Sequence, residues 1–218
     1  VGFPHNKLER WKYAPMRALA TKSYSAVVGE TDSIDVAQLP PAPRIVFVNG
    51  HLNTEHTDTR ELNGVQVHAL ADVLQSKDER RYNFFGRLFS DAPFASLNTA
   101  LAEHGVLIEV AEQCVIETPL HLVFINNSQV QSGQYLRHLI ECREHSQLRL
   151  IEHHFSIDEN TGMSNHLMHI HLKPHAQLTH IRIQREAPQA IQFSRSDAVI
   201  AGHASYQRLD IETGAHFS

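Results

Sequence analysis

Pro174-His175-Ala176-Gln177-Leu178 decides the fold, because the chain repeats this phrase on either side of it. Upstream stands Glu144-His145-Ser146-Gln147-Leu148 and downstream Gly202-His203-Ala204-Ser205-Tyr206, so the histidines are spaced by 30 and 28 residues (145 to 175, 175 to 203). Each phrase leads into a β-rich run: Leu148-Arg149-Leu150-Ile151-Glu152, Thr179-His180-Ile181-Arg182-Ile183 and Gln207-Arg208-Leu209-Asp210-Ile211. A fainter copy lies at Glu112-Gln113-Cys114-Val115-Ile116. Self-similarity at a period of roughly 20–50 residues marks a solenoid, in which each unit buries its apolar face on its neighbours. Equivalent corners stack only in such an array, so the repeat predicts a right-handed parallel β-helix.

Outward from the repeat, a period of two begins at Val106 and persists. Val106-Leu107-Ile108-Glu109-Val110, Leu120-His121-Leu122-Val123-Phe124-Ile125 and Leu136-Arg137-His138-Leu139-Ile140 read as strands. In Leu167-Met168-His169-Ile170-His171-Leu172, Met168, Ile170 and Leu172 face one way and His169 and His171 the other. Before residue 106, Arg44-Ile45-Val46-Phe47-Val48 reads as a buried strand ended by the turn signal Asn49-Gly50, and Val65-Gln66-Val67-His68 as a second alternating piece. Gln38 to Pro43 reads as an extended linker. A helix is predicted from Pro93 to about His104, with Asp91 as N-cap, Phe94, Leu97 and Leu101 on the buried face and Gly105 at the left-handed stop. Met16 to Ala20 is helix-prone, and the aromatic segment 84–89 is expected to pack under the longer helix. The expected organisation is a small α/β segment over residues 1–105 and a parallel β-helix over 106–218.

The 218 residues are 42% hydrophobic and 20% charged, with a net charge of −5 and no basic stripe, which excludes a phosphate-gripping nucleic-acid binder. No apolar run approaches the ~18 residues of a membrane span, and no signal segment is visible. A cytoplasmic protein is expected. Two cysteines, Cys114 and Cys142, are too few for a disulfide scaffold. The 17 histidines would carry the net charge from −5 to +12 if all were protonated, so solubility is expected to worsen as that change passes through zero.

The sequence contains no G-x-x-x-x-G-K-[ST] loop and no C-x-x-C pair, so it shows neither a phosphate cradle nor bundled thiolates. His169 and His171, roughly 7 Å apart along a strand, could hold a borderline metal with His166 as third ligand; the competing reading places them on a solvated outer wall. Cys142-Arg143-Glu144-His145 has C-x-x-H spacing, against which stands packing of Cys114 and Cys142 at corresponding corners. Trp11 and Tyr13 beside Lys12 fit a partner anchor or a pin for the N-terminal segment. Asp158-Glu159 reads as part of a turn. Asp210 and Glu212 share one strand face, whereas a β-helix glycosidase needs carboxylates flanking a cleft. No catalytic, cofactor-binding or metal residue is therefore assigned.

Four motifs in order resemble one family. Glu9-Arg10-Trp11-Lys12-Tyr13-Ala14-Pro15-Met16 resembles an E-x-W-K-Y-T-P-L signature, and Arg44-Ile45-Val46-Phe47-Val48-Asn49-Gly50 an R-x-V-F-V-x-G strand. Phe94 to Leu101 resembles an F-x-x-L-N-x-A helix, and Ile151-Glu152-His153-His154 with Leu178-Thr179-His180-Ile181 the repeated β-helix runs. The family is SufD, within the SufB/SufD proteins of the Suf iron–sulfur cluster machinery. The resemblance implies a non-catalytic scaffold that works with SufB and the SufC ATPase, with a homodimer as the other association to consider. It also implies a chain about twice this long, with further β-helix rungs, the SufC-docking region and the cluster-assembly residues beyond these positions. Val1 in place of Met agrees with a piece of a longer protein. A histidine-rich metal-binding β-protein and a carbohydrate-active β-helix enzyme are the competing expectations.

Overall fold

The computed structural model describes residues 21–26, 34, 38–76, 93–127, 132–157, 159 and 161–215. Trp11, Tyr13, the 16–20 helix piece, the aromatic segment 84–89, Asp91 and Asp158 lie outside the described residues.

In chain order the elements are β1 (Ser25–Ala26), β2 (Arg44–Val48), β3 (His51–Asp58), β4 (Val65–Ala69), α1 (Leu70–Gln75) and α2 (Pro93–Leu101). There follow β5 (Val106–Val110), β6 (Leu120–Asn126), β7 (Ser132–Cys142), β8 (Gln147–Ser156), β9 (Met163–Leu172), β10 (Gln177–Arg185), β11 (Ile191–Ile200) and β12 (Ser205–Glu212). From β5 onward the chain alternates between two walls. Wall A has the order β11-β9-β7-β5-β4, with β1 beside β7; wall B runs β12-β10-β8-β6-β2-β3. Successive rungs pair in parallel, giving a parallel β-solenoid of about three turns.

The repeated phrase is the corner of each turn. Its histidine adopts the left-handed conformation, with φ of 57° at His145, 61° at His175 and 60° at His203, and Gln113 of the fainter copy does the same at 60°. The small residue that follows closes the corner: Ser146 N–H donates to Arg143 O, Ala176 to Lys173 O and Ala204 to Ala201 O. Ser146 and Ala176 are fully buried, which is why a larger side chain is absent there. Main-chain bonds tie each corner to the next, His145 N–H to Pro174 O at 3.1 Å and His175 N–H to Gly202 O at 3.2 Å. The imidazoles stack outside, 4.6 Å between His145 and His175 and 5.0 Å between His175 and His203.

Inside, Leu148, Leu150, Leu178, Ile140, Met168, Ile170 and Leu172 fill the space between the walls with Phe47, Leu122 and Phe124. One end is closed by strands running the other way. β3 is antiparallel to β2 and β4 to β5, and such flanking strands cover edges that would otherwise offer unpaired backbone. The β2–β3 turn places Asn49 at φ 47° and Gly50 at φ 83°, the two positive values that the Asn-Gly signal predicts. β2 itself pairs in parallel with β6, so this strand from the first hundred residues joins a solenoid wall.

Two helices cover the outside of wall A. Leu70 and Val73 of α1 pack on Leu107 and Leu139, and α2 sets Phe94 on Phe193 and Ala95 on Leu167. The second helix departs from expectation. It ends at Leu101, and its buried face is Phe94, Ala95 and Asn98, while Leu97 and Leu101 are exposed. Asn98 dictates that orientation, donating to Leu136 O at 3.0 Å and Asn165 O at 2.8 Å. Gly105 is not the helix stop. It has φ 147°, and a Cβ there would meet Arg137 O at 1.7 Å, so it permits close passage of the chain against β7.

Candidate functional site in the solenoid lumen

On β8 and β10 the alternation that starts with the corner leucine carries polar residues inward. Leu148 and Leu150 are followed on the same face by Glu152 and His154, and Leu178 by His180, Arg182 and Gln184, all buried. These groups form one file across the lumen. His180 Nε2 meets Glu152 Oε1 at 2.6 Å and His154 Nε2 meets Glu152 Oε2 at 2.8 Å. His180 Nδ1 lies 2.9 Å from the Tyr206 hydroxyl, and His154 Nδ1 lies 2.8 Å from Gln192 Nε2. Arg182 donates to Gln192 Oε1 and to Glu212 Oε1. One set of tautomers satisfies every partner: Tyr206 O–H and Gln192 N–H donate to the two Nδ1 atoms, and both Nε2–H groups donate to Glu152. Since Gln192 belongs to β11 and the other members to wall B, the file also ties the two walls together.

Burial would raise the Glu152 carboxyl, but His180 beside it and the hydrogen bonds from His154 and His180 outweigh burial and hold it well below its ordinary range. Beside the file, His138 and His166 face Phe124 from wall A, with ring centroids 5.3 and 4.6 Å away. Burial pushes His138 down to about 4 and His166 well below the ordinary imidazole value. His138 Nδ1 accepts from Val106 N–H at 3.3 Å, while its Nε2 and both nitrogens of His166 have no partner among the described residues. Chemically, this is a buried carboxylate held ionised between two imidazoles, with neutral imidazoles alongside.

The residues singled out in the sequence are distributed otherwise. His169 and His171 do face outward from wall A, with Nε2 atoms 2.6 Å apart. They are 5% and 8% exposed, so the expected solvated wall is corrected: both imidazoles are covered and have further partners. His166 shares the inward phase of Met168 and cannot join them. Among the described residues, no three His, Cys, Asp or Glu side chains converge as a metal-binding group. Cys142 points into the lumen, where burial pushes its thiol up to about 12, while His145 stacks outside the corner. The C-x-x-H spacing therefore brings no ligand pair together. Cys114 Sγ donates to Asn63 O at 3.3 Å. Asp210 and Glu212 are held by Arg208 and Arg182 instead of flanking a cleft. Sequence reasoning missed Glu152, His154, His180, Arg182 and Gln192 as a group. The signal for the wall B members was available, because each lies an even number of residues beyond a corner leucine and so faces inward.

Two family models match in order and together span the chain. The model described as SufBD protein N-terminal region matches residues 1–122, and that described as SUF system FeS cluster assembly, SufBD core domain, matches residues 123–218. An iron–sulfur cluster assembly SufBD family protein of Synechocystis is 24% identical over 99% of this chain and 51% of its own length. The iron–sulfur cluster assembly protein SufD of Escherichia coli is 25% identical over 94% of this chain and 48% of its own length. The chain thus spans about half the length of these curated relatives. With both models matched in order over a parallel β-solenoid, the chain belongs to the SufBD family of the Suf iron–sulfur cluster assembly system.

Proposed function

We propose that this chain is the N-terminal part of a SufD-type subunit, a non-catalytic cytoplasmic scaffold that works with SufB and the SufC ATPase in iron–sulfur cluster assembly. The observation that carries the reading is the ordered match of both SufBD models over the whole chain, supported by its similarity to the E. coli SufD protein. The structure agrees in kind. A solenoid presents long walls for protein contact, and the lumen file ties both walls together, which suits a rigid frame. The 218 residues contain no P-loop, so in this reading ATP hydrolysis falls to the partner. In this reading residues 1–105 cap the β-helix of 106–218 and lend it one wall strand, β2. Antiparallel β3 and β4 support that division of labour.

The test is co-purification of the full-length chain with SufB and SufC from the same organism. Stoichiometric retention of both, with ATPase activity present only when SufC is present, is expected. Failure to retain either partner sinks the reading, and so does ATPase activity in the isolated chain. Native mass of the chain alone reports whether it pairs with itself when SufB is missing.

A further inference from the structure

Among the described residues, α1 and α2 cover the outer face of wall A, whereas no helix packs on the outer face of wall B from β8 to β12. Its outward positions register into rows running down the solenoid. One row is His121, Ile151, Ile181 and Leu209, and the next is Val123, His153, Ile183 and Ile211. Ile34 and Leu39 pack over the end nearest β2, against Val46, Val48, Val123 and Ile125. Further along, Leu209 is 55% exposed and Ile211 42%. Exposed Leu209 and Ile211 beside half-buried Ile181 and Ile183 make an apolar patch of the kind that marks a contact surface.

Away from β3, where Asp58 registers with Arg44, the charge on that face has one sign. The outward phase of β8, β10 and β12 carries Arg149 and Arg185 and no carboxylate, because Glu152, Asp210 and Glu212 all take the inward phase. Glu117 stands at the rim, where its main-chain carbonyl accepts from Arg149 at 3.2 Å. Arg149 registers with Thr179, six positions from Arg185, so the two arginines bracket the apolar rows about 20 Å apart along the strand backbone. Arg185 is held over the Phe155 ring, 6.0 Å from its centroid. An α-helix of about 13 residues spans the same distance.

We propose that the outer face of wall B docks an acidic amphipathic helix of a partner protein. Its aliphatic stripe lies over Ile181, Ile183 and Leu209, and its carboxylates reach Arg149 and Arg185. A second copy of this chain fits less well, because a two-fold contact would set one arginine-bearing face against another.

Two synthetic amphipathic peptides of about 15 residues, sharing one leucine pattern and carrying either glutamate or lysine at the polar positions, test this on the full-length chain by fluorescence anisotropy. The glutamate peptide is expected to bind at least about tenfold more tightly, and added salt to narrow that gap. Leu209→Lys is expected to weaken it by about tenfold or more, and Arg149→Glu with Arg185→Glu to reverse the preference. These positions are exposed, and circular dichroism confirms that each variant keeps its fold. Absence of binding, equal binding of both peptides, or binding untouched by Leu209→Lys overturns the proposal. The peptides contain no Suf component, so failure here leaves the assembly reading intact, and failure of the complex to assemble leaves this result intact.

Discussion

Asn98 of α2 and Asn165 of β9 fasten the helix to the wall, Asn98 by donating to the Asn165 carbonyl and Asn165 by donating back to the helix at Phe94. Asn98 Nδ2 donates to Asn165 O and Asn165 Nδ2 donates to Phe94 O, each at 2.8 Å, and both residues are fully buried. Asn98→Ala removes the side-chain amide that donates to the carbonyls of Leu136 and Asn165, at about 1–3 kcal/mol for each buried hydrogen bond. We expect a total loss of about 2–4 kcal/mol in urea unfolding. A change below about 0.5 kcal/mol would show that the helix docks through Phe94 and Ala95 alone.

Glu152→Gln tests the lumen file. A glutamine offers one acceptor and one NH2 where two imidazole N–H groups need acceptors, so one histidine must change tautomer; His180 can do so because the Tyr206 hydroxyl also accepts. The expected cost is about 1–3 kcal/mol, since both hydrogen bonds lose the charge of the carboxylate. Unfolding midpoints that coincide for the two proteins would contradict the network's role.

Stability should fall on mild acidification. His138 is held near 4 in the folded chain, facing Phe124, His154 and Glu152, and titrates near its ordinary value of 6.5 when unfolded. Between those values the unfolded chain binds the additional proton, so stability is complete above about pH 6.5 and declines as pH falls toward about 4. The share of His138 is on the order of 3 kcal/mol. His153, pushed down to about 4, and His166 act in the same direction. These buried imidazoles also reduce the charge swing that the histidine count alone implies. His138→Phe should flatten the stability profile between pH 6.5 and 4, and an unchanged slope would refute the assignment.

The corner conformation predicts an unusual tolerance at His175, where φ is 61°. His175→Gly and His175→Asn should be nearly neutral or mildly stabilising, whereas His175→Val should cost about 1–2 kcal/mol. Equal stability of the valine and asparagine variants would show that the ring stack, not the backbone, selects the residue.

Thiol chemistry separates the two cysteines. The Cys142 thiol, pushed up to about 12 by burial, should resist iodoacetamide in the native state and react only on unfolding, while partly exposed Cys114 reacts first. Native labelling of Cys142 at a rate similar to Cys114 would count against the lumen placement.

The solenoid was legible in the sequence because its corner repeats an identifiable residue. His145, His175 and His203 mark the same left-handed position, and the strand phase follows from the leucine three residues on at Leu148 and Leu178. The helix face at Phe94 to Leu101 was misread because hydrophobic spacing favoured Leu97 and Leu101 over Asn98, whose place depends on carbonyls 38 and 67 residues away. The lumen file was missed for a related reason. Buried polar residues resemble surface residues until the inward phase is fixed, and their partners come from separate turns and from the facing wall. His169 and His171 were placed on the correct face, but what covers that face is not encoded in a two-residue alternation.

The left-handed corner has a further consequence, for the tolerance of the chain to change. A single inserted residue in a strand exchanges its lumen side for its solvent side. Here such an error would travel only as far as the next corner, where the histidine and the small residue after it restore the phase. Each rung can thus diverge in sequence without disturbing the parity of its neighbours, and the corner acts as punctuation that keeps the reading frame of the fold.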